Sequence, residues 1–379
     1  MLRIAHVLKD EKFTDGVFRT FQEDKRLVNI PVFFTKNKNY KFKKINSINN
    51  IKLISESKEF LVFLNSNEFD VIYFHSLPIL YWEFVKYIPN NKTVIWWLYG
   101  YEAYESFFCK KPILEICLYK PLTYKYYKRD LKKLLIKTVL FCRDQLFKTV
   151  FTNTKKTVRD MLTRIDYFQP IFSTELIMMK SAHSYFHADE FYNNNSLYFD
   201  LPVINEKKSN GGILFGNSSS FTNNHLDVWN EISAFCKDNK VIIPLSYGDP
   251  RLREIVKSNI VSDNIIYLER FMPKEEYFSL LDTCSYMVIG VMRQQASENI
   301  YYCISRGMKL FFYRDSIPYA YFKDKGYIVF AIEDVDDNSF STPLTNEEIE
   351  HNQKMMLKEK EYCDNLYEVV IRHLYEKYN

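Results

Sequence analysis

The sequence predicts an α/β protein of two Rossmann-like, parallel-sheet domains followed by C-terminal helices. Three observations carry that expectation. Short apolar runs rich in β-branched and aromatic residues recur, each followed by a longer amphipathic stretch, which is how buried parallel strands and their crossover helices read. These runs fall into two sets separated by a polar segment, and a chain of 379 residues is long enough for two domains at roughly 100–200 residues each.

In the first set the candidate strands are Arg3 to Leu8, Val28 to Phe34, Ile51 to Ser55, Val71 to His75, Thr93 to Tyr99 and Thr149 to Thr152. The second set comprises Gly212 to Gly216, Lys240 to Tyr247, Asn264 to Glu269, Tyr286 to Val291, Lys309 to Tyr313 and Tyr327 to Ile332. Between the sets, Asn193 to Gly212 carries three consecutive Asn, Pro202, a charged triplet and Gly211-Gly212, a turn-forming composition that marks a boundary. The expected organisation is residues 1–205, residues 206–345 and terminal helices over 346–379. The last segment has no Gly or Pro after Pro343 and spaces its apolar residues helically, as in Leu366, Val369, Val370 and Leu374.

Composition excludes several classes. With 47% apolar and 26% charged residues and a net charge of +4, the chain is neither disordered nor a polyanion-wrapping protein. Seven cysteines at wide spacing with no CxxC argue against a disulfide framework or zinc ribbon and for reduced thiols in a cytosol. No apolar run approaches about 18 residues, the length that a membrane span requires. The protein is expected to be soluble or membrane-peripheral.

Rossmann-like domains bind ligands beyond the carboxyl ends of their strands, so the loops there hold the candidate site. Gly216-Asn217-Ser218-Ser219-Ser220 lies between a strand and a helix starting near Asn224, and a helix N-terminus with amide and hydroxyl side chains suits a phosphate. Neither GxGxxG nor GxxxxGK[ST] occurs, which removes the main support for NAD enzymes and P-loop ATPases. Arg293-Gln294-Gln295 follows a later strand; the guanidinium suits a phosphate, and the Gln amides suit sugar hydroxyls.

Together, Gly212-Ile-Leu-Phe-Gly216-Asn217-Ser218, Asn224-His225, Val241 to Gly248, Glu276-Tyr277 with Leu280-Leu281, and Arg293-Gln294-Gln295 resemble the bacterial family 56 glycosyltransferases. The first half resembles them more thinly, at His6-Val7-Leu8, Phe74-His75, Trp96 with Gly100 and Tyr104-Glu105, and Leu118 with Pro121-Leu122. The resemblance implies a GT-B fold, two Rossmann-like domains facing a central cleft. It further implies transfer of N-acetylfucosamine or a related deoxy-amino or hexosyl sugar from a TDP-, UDP- or GDP-type donor to a polyprenyl-diphosphate-linked saccharide in bacterial surface glycan assembly. No metal or other cofactor is expected. Gly216, Asn217, Ser218, Ser219, His225, Tyr247, Arg293, Gln294 and Gln295 are the implied donor-binding residues. After Gln295 the family pattern is Gly-rich, whereas this chain has Ala296-Ser297-Glu298-Asn299, and where the family has Asp it has Glu102. Glu298, at a helix start, is a candidate ligand for ribose or sugar hydroxyls and equally an acid favoured by the helix dipole.

An inverting transfer needs a general base. Glu102, just beyond the apolar strand ending near Tyr99, is the first candidate, with aromatic neighbours to raise its pKa; Glu105 sits three residues on. His6 and His75, each at a strand end, are alternates for the base or for acceptor binding, although a histidine so placed is more often a satisfied core residue. Asp334 and Asp336 imitate a DxD metal motif but suit capping better, and His183 with His187 has zinc spacing without the further ligands. From Lys110 to Lys137 there are nine basic residues against two acids, interleaved with Tyr and Leu. That pattern suits a helix on anionic lipid and lacks any nucleic-acid-binding motif. The expectation is a cytoplasmic glycosyltransferase, peripheral on the inner face of a bacterial membrane. The alternatives are a GT-B-fold sugar-nucleotide epimerase or a catalytically silent nucleotide-sugar or glycan binding module.

Overall fold

The structure, a computed structural model, describes residues 1–11, 13–104, 112–128, 154–192, 211–236 and 238–379. The expected strand Thr149 to Thr152, Glu105, most of the boundary segment 193–210, and residues 110–111 and 129–137 of the basic stretch lie outside the described residues. The chain forms two compact units. One gathers described residues of Met1–Glu115, Phe141–Leu197 and Lys360–Asn379; the other gathers those of Ile116–Leu140 and Tyr198–Glu359.

The first unit holds a seven-stranded sheet. Its strands are β1 Leu2–Val7, β2 Leu27–Phe34, β3 Lys52–Ile54, β4 Val71–Phe74, β5 Thr93–Trp97, β6 Tyr167–Gln169 and β7 Asp189–Glu190, in the order β3-β2-β1-β4-β5-β6-β7. Every recorded pairing in it is parallel. β4 and β5 are buried along their whole length, so their sequences are continuous apolar runs instead of alternating ones. On one face Val17 and Phe21 of the helix Thr14–Glu23 share a core with β1, β4 and β5.

The second unit repeats the plan with β8 Gly212–Phe215, β9 Val241–Pro244, β10 Ile265–Leu268, β11 Cys284–Ile289, β12 Lys309–Phe312 and β13 Phe330–Ala331. Their order is β10-β9-β8-β11-β12-β13, and again every recorded pairing is parallel. Its helices are started by local chemistry. Asp249 caps Pro250–Asn259 by accepting from the Arg251 amide, Ser316 caps Ile317–Asp324 by accepting from that of Tyr319, and each places Pro in the first turn.

The terminal helical segment is a single helix of 33 residues, Asn346–Tyr378. Its earlier part belongs to the second unit, where Glu359 accepts hydrogen bonds from the hydroxyls of Tyr301 at 2.6 Å, Tyr327 at 2.7 Å and Tyr321. Its later part places Tyr367, Val370, Ile371 and Leu374 in the core of the first unit. No helix of the described residues is long and apolar enough to cross a membrane.

Candidate functional site

In an open parallel sheet the loops diverge where the strand order reverses, leaving room for a ligand between them. In the second unit β8 leads to β9 on one side while its other neighbour β11 leads to β12 on the opposite side. The reversal therefore lies between β8 and β11, and the two loops singled out in the sequence follow these two strands.

Gly216 leaves β8 with φ +70°, a left-handed conformation that suits glycine. A Cβ there would lie 2.6 Å from His225 Nε2, so the close approach also demands glycine. Ser218 and Ser219 are buried and spend their side chains on the loop. Asn223 Nδ2 donates to Ser218 Oγ at 3.2 Å, and Ser219 Oγ donates to the Tyr247 carbonyl at 2.8 Å. Asn217 is bound on both sides, its Nδ2 donating to Tyr247 Oη at 3.0 Å and its Oδ1 accepting from Gln295 Nε2 at 3.0 Å. Gln295 Oε1 accepts from Thr222 Oγ1 at 2.6 Å. Two loops 73 positions apart in sequence are thus tied side by side over the reversal point.

Asn224 adopts φ +50°, which Asn tolerates better than most residues, and the helix His225–Ile232 follows. His225 is 1% exposed, and neither ring nitrogen has a hydrogen-bond partner among the described residues. Burial holds its pKa down at about 3, so the ring is neutral. It packs beneath Gly216 and against Phe215, supporting the loop from below. On the second loop Arg293 is largely buried, with Nη1 donating to the Gln294 carbonyl at 2.7 Å. Gln294 Nε2 donates to Ser297 Oγ at 3.3 Å. Ala296 has φ +61°, a conformation natural to glycine, at the point where the family pattern is Gly-rich. Glu298 forms an ion pair with Lys274 at 2.8 Å.

The first unit has its own reversal between β1 and β4, and its candidates gather there. The β1–β4 register sets His6 beside Tyr73 and Val7 beside Phe74, which brings His75 next to His6. His6 Nδ1 lies 3.1 Å from His75 Nε2, and His6 Nε2 lies 2.8 Å from Asn29 Oδ1. Both rings are wholly buried among Phe18, Phe21, Tyr73 and Trp97. Burial lowers the His6 pKa to about 4, and burial together with the His6 charge holds that of His75 well below the usual imidazole value. Glu102 sits on the short helix Tyr101–Tyr104 after Gly100, and is 6% exposed. Its Oε1 accepts from the Tyr99 amide at 2.9 Å, from Ser76 Oγ at 3.3 Å and from Trp96 Nε1 at 3.5 Å. Burial raises its pKa, opposed by the Tyr99 amide, which is the direction that strengthens a base.

Sequence reading missed Ser76 and Tyr101, whose hydroxyls are 2.9 Å apart beside Glu102, and Lys9, whose ammonium lies 5.7 Å from the centre of the Tyr101 ring. It also missed the roles of Thr222 and Asn223 in tying the loop after β8. A hydroxyl or amide in a loop after an apolar strand was the available signal, shared by many loops.

The remaining motifs resolve structurally. Asp334 pairs with Arg314 at 2.5 Å, and Asp336 accepts from Ser339 Oγ at 2.8 Å. The helix Ser173–Ala182 stops before His183, whose ring nitrogens lie 3.0 Å from Tyr185 Oη and 2.9 Å from the Ile113 carbonyl. No cluster of metal-ligating side chains occurs among the described residues. A groove of about 330 Å³ lined in part by Asp166, His187, Asp189, His373 and Lys377 opens near Thr93 and Tyr167, the starts of β5 and β6, away from either reversal point.

No family model matches the chain, and no curated protein matches it. Solved structures do. The N-terminal domain of trehalose-6-phosphate phosphatase from Candida albicans superposes with a TM-score of 0.61 at 9% identity, over 100% of this chain and 97% of that one. The lipopolysaccharide outer core galactosyltransferase WaaB gives 0.52 at 10% identity, over 100% and 98%. AviGT4, a glycosyltransferase of avilamycin A biosynthesis, gives 0.54 at 9% identity, also over 100% and 98%. At such identities the likeness is one of fold and does not single out family 56. The chain has the GT-B architecture of two parallel-sheet, Rossmann-like units with helices.

Proposed function

We propose that this protein is a glycosyltransferase whose second unit binds the nucleoside diphosphate of a sugar donor. The observation that carries this reading is the hydrogen-bonded join of the Gly216–Asn224 and Arg293–Gln295 loops over the β8/β11 reversal point. There a helix N-terminus and a guanidinium suit a diphosphate, and amide and hydroxyl side chains suit a sugar. The α-glucosyltransferase solved with UDP shares the fold at a TM-score of 0.51 and 10% identity, which supports the same class of donor.

In the proposed reaction the acceptor hydroxyl oxygen bonds to the anomeric carbon as the bond from that carbon to the diphosphate oxygen breaks. Glu102 takes the hydroxyl proton, and the departing diphosphate keeps the electron pair, its charge met by Arg293 and the helix N-terminus in place of a metal ion. The buried, raised-pKa carboxylate favours Glu102 over the two histidines, whose depressed pKa values make them weak bases at neutral pH.

The finer reading is a deoxy-amino or related sugar passed to a lipid-linked saccharide at the inner face of a bacterial membrane. The Lys110–Lys137 stretch supports it. On the helix Pro121–Lys128 the described side chains divide: Tyr126 and Tyr127 pack on the second unit's core, while Leu122 and Tyr124 are 42% and 45% exposed beside exposed Lys125. Binding to vesicles that ignored lipid charge would reject this surface.

Calorimetry with UDP, TDP and GDP, followed by turnover of the matching sugar nucleotides in excess chelator, tests the reading. One nucleotide is expected to bind and turnover to persist without metal. Absence of binding by all three would sink the donor site, and loss of turnover restored by manganese would sink the metal-free step.

A further inference from the structure

The helix Pro121–Lys128 begins on the rim of the donor site. Its first free amides, those of Leu122 and Thr123, donate to Asp227 Oδ1 and Oδ2, both at 2.8 Å. Asp227 is not on that helix. It lies in the first turn of His225–Ile232 and is 7% exposed, so one helix is capped by a carboxylate from the start of the other. Asn224 adds a second tie. Its Oδ1 accepts from the Lys120 amide at 2.9 Å, while its Nδ2 donates to the Leu118 carbonyl at 3.1 Å and to the Gly290 carbonyl, at the end of β11, at 2.7 Å. Lys120 also pairs with Asp315, beyond β12, at 3.0 Å.

The charge at this junction has a consequence for anion binding. A carboxylate in the first turn of His225–Ile232 competes with any diphosphate for the positive end of that helix. Capping turns the Asp227 charge onto the amides of Pro121–Lys128 instead. With that helix in place the donor end is less negative; with it displaced the carboxylate returns to compete. The exposed face of the capping helix, Leu122, Tyr124 and Lys125, belongs to the stretch with nine basic residues against two acids, whose charge complements anionic lipid.

We infer that docking of the Pro121–Lys128 helix on an anionic membrane and binding of the nucleotide diphosphate are positively linked, with Asp227 and Asn224 as the positioning residues that carry the link. The inference rests on the donor-site and membrane readings above. Linkage makes the effect reciprocal: vesicles tighten nucleotide binding by the same factor as nucleotide tightens vesicle binding.

The experiment uses the full chain, the nucleotide found to bind among UDP, TDP and GDP, and vesicles of phosphatidylcholine with or without one-quarter phosphatidylserine. Anionic vesicles should tighten nucleotide binding about fivefold or more, the lower end of ordinary coupling, and neutral vesicles should not. Asp227→Asn should abolish that dependence while the variant still binds both partners. Asn224→Gly, which keeps the left-handed backbone and removes the side-chain bonds to Lys120, Leu118 and Gly290, should weaken it. Tyr124→Ser should lower vesicle binding and leave nucleotide affinity without vesicles unchanged. Equal nucleotide affinity with and without anionic vesicles, when both are bound, overturns the linkage alone. An undiminished vesicle effect in Asp227→Asn overturns the role of Asp227. Failure of the nucleotides to bind overturns the donor-site reading, failure of the vesicles to bind overturns the membrane reading, and either removes the linkage with it.

Discussion

The two reversal points use one topology for opposite ends. At β1/β4 the groups with chemistry are enclosed: His6 and His75 share a contact inside an aromatic shell, and Glu102 is buried beside the Tyr99 amide and Ser76. At β8/β11 amides and hydroxyls tie neighbouring loops beside two helix starts and Arg293. A desolvated imidazole or carboxyl group loses its charge readily, whereas a helix terminus and a guanidinium keep theirs. The first arrangement suits proton transfer, and the second suits holding an anion.

Breaking the proton-transfer half should have the largest effect. Glu102→Gln keeps the size of the side chain, so turnover should fall by about 10²–10⁴ with donor affinity nearly intact. Turnover within a few-fold of the parent would pass the role to His75 or His6, with their Ala variants to decide between them.

The next effect is on stability. His6 and His225 titrate near 4 and near 3 in the folded chain against an ordinary value of 6.5, and His75 is lowered too. Below 6.5 the unfolded chain takes up protons that the folded one refuses. The stabilisation is therefore complete above 6.5 and is lost as the pH falls through the folded values of about 4 and about 3. Thermal melts should show Tm dropping by several degrees between pH 7 and pH 5, and His75→Asn should flatten that limb. The raised pKa values of Glu102 and Glu359 work in the opposite direction and are common to both proteins, so an identical pH dependence of Tm in the parent and His75→Asn would contradict neutral burial of that ring. The smallest effect sharpens the anion half. Ala296→Gly relieves a left-handed alanine, whose conformation costs roughly 1–2 kcal/mol, and should raise Tm by a few degrees; a lower Tm would mean that the alanine methyl packs usefully.

Much of the fold was legible because buried parallel strands are apolar runs. Leu27–Phe34 and Val71–Phe74 lie within a residue or so of where periodicity put them. The strands Tyr167–Gln169 and Asp189–Glu190 were missed, being three and two residues long with no apolar run to betray them. Position at the strand ends singled out His6, His75, Gly216 and Arg293, yet their partners were invisible. The His6–His75 contact spans 69 positions and depends on parallel register, and the Thr222–Gln295 bond spans 73. Nothing local to Asp227 announces that it caps a helix more than a hundred residues earlier. The four-residue spacing of His183 and His187 does not reflect a shared helix face, because the helix ends at Ala182.

The central claim is that the β8/β11 loops hold the nucleotide diphosphate, and Arg293 tests it most directly. Calorimetry of the binding nucleotide against the parent and Arg293→Ala should show a loss of about 1.5–3 kcal/mol, the worth of a hydrogen bond to a charged group, with melting of the unliganded variant close to that of the parent. Unchanged nucleotide affinity in a folded Arg293→Ala protein would contradict the account.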